Sequence, residues 1–140
     1  MYDNILVGID GSEHSFAAAR TAGELVRKMG ASSLWVVACY DPLSFLVGEP
    51  LMNDIVAPRI LKAEGYLNRA LAEIGEVAIE VKTEILEGHA AEAILNVAVV
   101  RKVELIIMGT RGLGQLAGLL LGSQSLKVVA HAHCPVLLVR

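Results

Sequence analysis

Five apolar runs of strand length alternate along this chain with four segments of helical period, and that alternation leaves few folds open. Asn4-Ile-Leu-Val-Gly-Ile-Asp10 is the first run, ended by Asp10-Gly11. Ser12 can cap the helix that follows, in which Phe16, Ala19, Gly23 and Val26 recur at helical spacing until Gly30 stops it. Ser33 to Cys39 reads as a buried second strand. Tyr40 through Pro58 reads as irregular, bracketed by Asp41-Pro42 and Ala57-Pro58. Helical period resumes at Ile60, Leu61, Leu67, Ala70, Leu71 and Ile74 and ends at Gly75. Val77 to Leu86 alternates apolar with charged residues, the pattern of a strand at an exposed sheet edge. A third helix from Ala90 to Arg101, a fourth strand from Glu104 to Met108, a fourth helix from Ser123 to Ala132 and a fifth strand from Pro135 to Val139 complete the series.

Strands alternating with helices imply a parallel sheet covered on both faces, with right-handed crossovers. A ligand then belongs at the carboxyl ends of the strands, where the winding changes direction. The 140 residues fit one domain, 1–140, with no linker dividing it. Hydrophobic residues make up 54% while aromatics make up 4%, which suits doubly covered strands. The formal net charge of −3 argues against a nucleic-acid partner, which calls for a basic stripe. The longest uncharged stretch, Gly112 to Leu126, falls short of the roughly 20 residues that span a bilayer. Met1-Tyr-Asp-Asn has no basic leader region, and Cys39 and Cys134 have no CxxC spacing, so the chain reads as cytoplasmic with reduced thiols.

The chemistry concentrates between the fourth strand and the fourth helix. Gly109-Thr-Arg-Gly112 and Gly122-Ser123 give the spacing G-x2-G-x9-G-S. Glycines let backbone N–H groups approach an anion, and the helix end that follows adds unpaired donors. Gly109 is expected to leave room for a ligand that a Cβ would strike, and Gly112 and Gly122 to bound an anion nest. Ser123 can donate to a phosphate or act as a plain N-cap, and Arg111 can pair with a phosphate or stay solvated. Asp10 can meet ribose hydroxyls or a phosphate-bound magnesium ion, or serve as a turn former capping the next helix. His14 can lie near the phosphates or be an exposed first-turn residue, and His89 sits similarly at the start of the third helix with no partner in the pattern.

Several familiar chemistries do not fit. His131-Ala-His133-Cys134 matches no standard zinc spacing and reads as a helix C-terminus. The run Gly112-Leu-Gly114-Gln-Leu-Ala-Gly118 has one residue too many for a dinucleotide fingerprint. No Gly-Lys-Ser/Thr occurs, so this is no Walker-type loop.

Three segments together, Ile5-Leu-Val-Gly-Ile-Asp10-Gly-Ser, the glycine series, and Cys134-Pro-Val-Leu-Leu-Val-Arg140, make the whole chain resemble the universal stress protein family. The family motif G-x2-G-x9-G-(S/T) is matched at every fixed position, and it marks the branch that binds ATP. The resemblance implies an open five-stranded parallel sheet of order 3-2-1-4-5, of the adenine-nucleotide alpha-hydrolase-like class, with ATP across the first and fourth strands. It also implies homodimers joined through the fifth strand. Carried onto this chain, it assigns Asp10 to the base and ribose, and Met108, Gly109, Gly112, Gly122 and Ser123 to the ribose- and phosphate-binding loop. Gln124 and Ser125 fall at further helix-terminal phosphate contacts, and Ala38 or Cys39 at the adenine pocket.

The resulting expectation is a regulatory ATP-binding protein, with magnesium accompanying the nucleotide. A slow ATPase or phosphoryl-transfer enzyme is the first alternative, against which stands the lack of a recognisable base, lysine or nucleophile set. A ligand-free dimeric scaffold is the second. The apolar fifth strand Val136–Val139 has no lysine guard before Arg140, which favours edge pairing in a homodimer. The apolar stretch from Asp41 to Pro58 is expected to close over the adenine side, pack on a partner chain, or form a short extra helix.

Overall fold

Nine elements alternate in a computed structural model that describes residues 2–40, 49–111 and 121–140, with only the backbone described for 49–54. They are β1 (Asn4–Ile9), α1 (Glu13–Met29), β2 (Ser33–Tyr40), α2 (Glu49–Ile74), β3 (Val81–Glu87), α3 (Ala90–Val100), β4 (Leu105–Gly109), α4 (Ser123–His131) and β5 (Val136–Val139). The strands form one sheet in the order β3-β2-β1-β4-β5, every pair parallel. The expected order 3-2-1-4-5 is therefore the observed one. Leu6 lies opposite Ile106 at the junction of β1 and β4, where the winding reverses.

Alternation along the strands divides the core. Ile5, Val7, Leu34, Val36 and Ile107 pack on one face with Phe16 and Ala19 of α1 and Leu67 and Ala70 of α2. Leu6, Val37, Ile106 and Met108 pack on the other face with Ile94 and Val97 of α3 and Val128 of α4. Side chains one residue apart on a strand point to opposite faces, so the doubly apolar runs need both helix layers. β3 stays half-exposed along its length, as its alternating charges imply.

Two boundaries differ from the sequence reading by more than one residue. The segment Val77–Glu80 is not strand; β3 begins at Val81, and Val77 and Ile79 rest against the core from a bend. α2 begins at Glu49 instead of Ile60 and runs through Pro58, which the pattern treats as a boundary. Proline lacks the N–H that would bond the carbonyl four residues back, yet the helix continues on either side. Within α2 the buried face is Ala63, Leu67, Ala70 and Ile74, whereas Leu61 is 66% exposed. Of the apolar stretch 41–58, residues 41–48 lie outside the described residues and 49–58 are the first turns of α2.

Candidate functional site

The parallel strands deliver the N-termini of three helices to one place. A cleft of about 490 Å³ opens at the carboxyl ends of the strands, within the size range of small-molecule sites. Its lining includes Asp10 and Ser12 before α1, Gly88, His89 and Ala90 at α3, and Gly122 to Ser125 at α4. Each helix end carries roughly half a positive charge and unpaired N–H groups. Three such ends around one cavity favour an anion.

The three ends differ in how far they are satisfied. At α1, Ser12 is the N-cap and its Oγ accepts from the N–H of Ser15 at 3.1 Å. Asp10 Oδ1 accepts from the N–H of Ser12 at 2.9 Å and from its hydroxyl at 2.5 Å. The same hydroxyl lies 3.3 Å from the carbonyl of Arg111, joining this turn to the start of the glycine loop. Asp10 is thus a turn former as well as a cleft residue, and its second oxygen has no hydrogen-bond partner among the described residues.

At α3 the N-cap is His89, whose ring makes no capping bond. The N–H of Ala91 is instead taken by Gln124 Oε1 of α4 at 2.9 Å. Gln124 therefore caps a neighbouring helix from inside the cleft.

The end of α4 is open among the described residues. Its N-cap is Gly122, which has no side chain to offer. Gly122 donates its own N–H to the carbonyl of Thr110 at 2.7 Å, and the N–H of Leu126 returns to Gly122. Ser123 is accordingly the first helical residue, not the cap, and its exposed hydroxyl has no partner among the described residues. The N–H groups of Ser123, Gln124 and Ser125 have no side-chain cap among the described residues. Ser125 is 4% exposed and its hydroxyl donates to the carbonyl of Gly109 at 2.8 Å, so it holds the helix to β4.

Gly109 lines the cleft, and its missing side chain also answers a packing need. A Cβ there would sit 2.7 Å from His14 Cβ and 2.8 Å from the His14 carbonyl carbon. The close approach is to the first turn of α1, on the side away from α4. His14 itself is half-buried with Nδ1 2.9 Å from Thr110 Oγ1, and it is not part of the lining.

Of the other expected residues, Cys39, Met108 and Arg111 line the cleft with Gly8, Val37 and Ile94. Ala38 does not: it is fully buried on the opposite face of β2, toward α1 and α2. The alternation of the strand thus selects Cys39 of the two. Gly112 lies outside the described residues. His131 ends α4 in its last turn.

Sequence periodicity missed one wall. Arg59, Lys62, Ala63 and Tyr66 of α2 also line the cleft. They recur at i, i+3, i+4 and i+7, one helical face. That spacing was present in the sequence, but it joins the polar Arg59 and Lys62 to the buried Ala63 and so stands out on neither side of the helix. The Tyr66 ring closes on Gly11, where φ is +86° and an added Cβ would lie 2.3 Å from the ring. No helix among the described residues is long and apolar enough to cross a membrane.

Comparison with known proteins agrees with this architecture. The model of the universal stress protein family matches residues 1–140. A Thermus aquaticus universal stress protein from the QAH/OAS sulfhydrylase 3′ region is 44% identical over 140 residues, 100% of both chains. The solved structure of universal stress protein UspA from Lactobacillus plantarum is similar with a TM-score of 0.89 and 25% identity, covering 99% of this chain and 98% of that one. A universal stress protein solved in complex with cAMP is similar with a TM-score of 0.72 and 27% identity, covering 99% of this chain and 97% of that one. Family model, relative and solved structures concur: the chain belongs to the universal stress protein family.

Proposed function

We propose that this protein is a regulatory nucleotide-binding protein that holds ATP in the cleft at the strand ends. The observation that carries the reading is the N-terminus of α4, where no side chain among the described residues caps the N–H groups of Ser123, Gln124 and Ser125, beside the exposed hydroxyl of Ser123. A single helix end favours an anion by about 0.3–1 kcal/mol when exposed and about 2 when partly buried. A phosphate chain therefore needs the combined α4 donors, Ser123 and nearby cations. The cAMP held by a related protein supports an adenine nucleotide as the ligand class.

The apolar floor of Val37, Ile94 and Met108, with Cys39 beside it, suits a base. Magnesium would be held by the free oxygen of Asp10 together with ligand phosphates, the sparse carboxylate set this ion favours. When bound it would offset phosphate charge. Hydrolysis draws little support, since Asp10 is engaged by Ser12 and His14 by Thr110.

The reading extends to a cytoplasmic protein of one domain, 1–140, that pairs as a homodimer through β5. β5 is the last strand at one edge of the sheet, and Leu137 on it is 37% exposed. Sedimentation at micromolar concentration should give twice the monomer mass; a monomer would overturn the pairing. Calorimetric titration with ATP, with and without magnesium, tests the ligand. The combined substitution Gly122→Val and Ser123→Ala should abolish binding, and unaltered binding would refute the site.

A further inference from the structure

α2 and α4 lie on opposite faces of the sheet, Leu67 packing with one core and Val128 with the other. Both nevertheless reach the cleft, because α2 is longer than the strands it covers. Tyr66 stands level with Gly11, just past the end of β1. At 3.6 residues per turn, Lys62 and Arg59 lie about one and two turns further on, overhanging the strand ends.

The charge of the cleft is unlike that of the protein. Among the described residues its lining carries three cationic side chains, Arg59, Lys62 and Arg111, against one carboxylate, Asp10. The chain as a whole has a net charge of −3. Lys62 is exposed and forms no ion pair with a described residue. Its ammonium is a compact point charge on a flexible four-carbon stem, able to follow a phosphate without fixed geometry.

A ligand with one phosphate can satisfy the N–H groups of α4 without reaching the far wall. A monophosphate held at the α4 end has no further anionic group to offer the α2 wall, whereas a longer anionic chain has groups for both walls of the cleft. We propose that Lys62 is a specificity-determining residue that favours nucleoside polyphosphates over open and cyclic monophosphates. This rests on the nucleotide reading above.

The test is calorimetric titration of ATP, AMP and cAMP into the parent protein, Lys62→Met and Lys62→Arg. One charged contact at a solvated site changes affinity by about three- to tenfold, so Lys62→Met should lose that much for ATP. AMP and cAMP should stay within about twofold, and Lys62→Arg should keep the preference. Equal weakening of all three ligands by Lys62→Met, or unchanged ATP affinity, would overturn the role of Lys62 while leaving the site intact. If the parent binds none of the three, the nucleotide reading fails and takes this inference with it. Thermal melts of the variants should match the parent, since Lys62 is exposed and contributes nothing to either core.

Discussion

The hydroxyl of Ser125 donates to the carbonyl of Gly109 across 2.8 Å, fastening the first turn of α4 to the last residue of β4. Both residues belong to the segment that faces the cleft. The bond spends the one buried hydroxyl of that turn on the carbonyl of β4 and not on the turn's own backbone donors.

Ser125→Ala should therefore act through position, not through contact. Losing a buried hydrogen bond and leaving a carbonyl unpaired costs about 1–3 kcal/mol. Urea denaturation should show that loss without any ligand present, and ATP affinity should fall with it. A variant as stable as the parent would show that the tie does not hold α4.

Gly109→Ala should destabilise the free protein. The new Cβ would meet the α1 backbone at His14, and overpacking of this kind costs about 1–3 kcal/mol. Denaturant melts decide the matter. Unchanged stability with lost ATP binding would return Gly109 to the ligand-facing role its sequence position implies.

Gln124→Ala should loosen α3 although the substitution is on α4. The N–H of Ala91 would lose its side-chain acceptor, at about 1 kcal/mol for a missing cap. Hydrogen exchange at Ala91 should accelerate relative to the middle of α3. Equal exchange in parent and variant would show that water replaces the amide without loss.

Burial holds the Cys134 thiol above its ordinary 9.0, with a backbone hydrogen bond at Ile106 working against it. The folded protein keeps this proton more tightly than the unfolded chain does. The contribution is thus fully present below the unfolded pKa and is lost as pH rises through the folded pKa. Compared with Cys134→Ser, the parent should lose stability more steeply in that alkaline window, read as the urea midpoint against pH. Parallel slopes would contradict it.

Much of this was legible from the chain. Strand-length apolar runs such as Asn4–Ile9 and Leu105–Gly109 are buried on both faces and announce themselves by composition. Ser12 and Gly30 marked the ends of α1 because caps are local chemistry. What escaped depended on distant partners. The side chain of Gln124 reaches Ala91, thirty-three residues away in sequence, a capping role that no local pattern announces. Pro58 reads as a boundary because local preference disfavours helix before proline, yet α2 carries through it. Arg59 and Lys62 escaped because a polar helix face says nothing about which cavity it overhangs.

The central claim is that the open first turn of α4 receives a phosphate, and amide chemical shifts report on that turn directly. Titrating ATP with magnesium into isotope-labelled protein should move the Ser123, Gln124 and Ser125 amide resonances downfield together and saturably. The same amides should stay still when adenosine replaces ATP. Saturable binding of ATP that leaves these three amides unmoved would contradict the account.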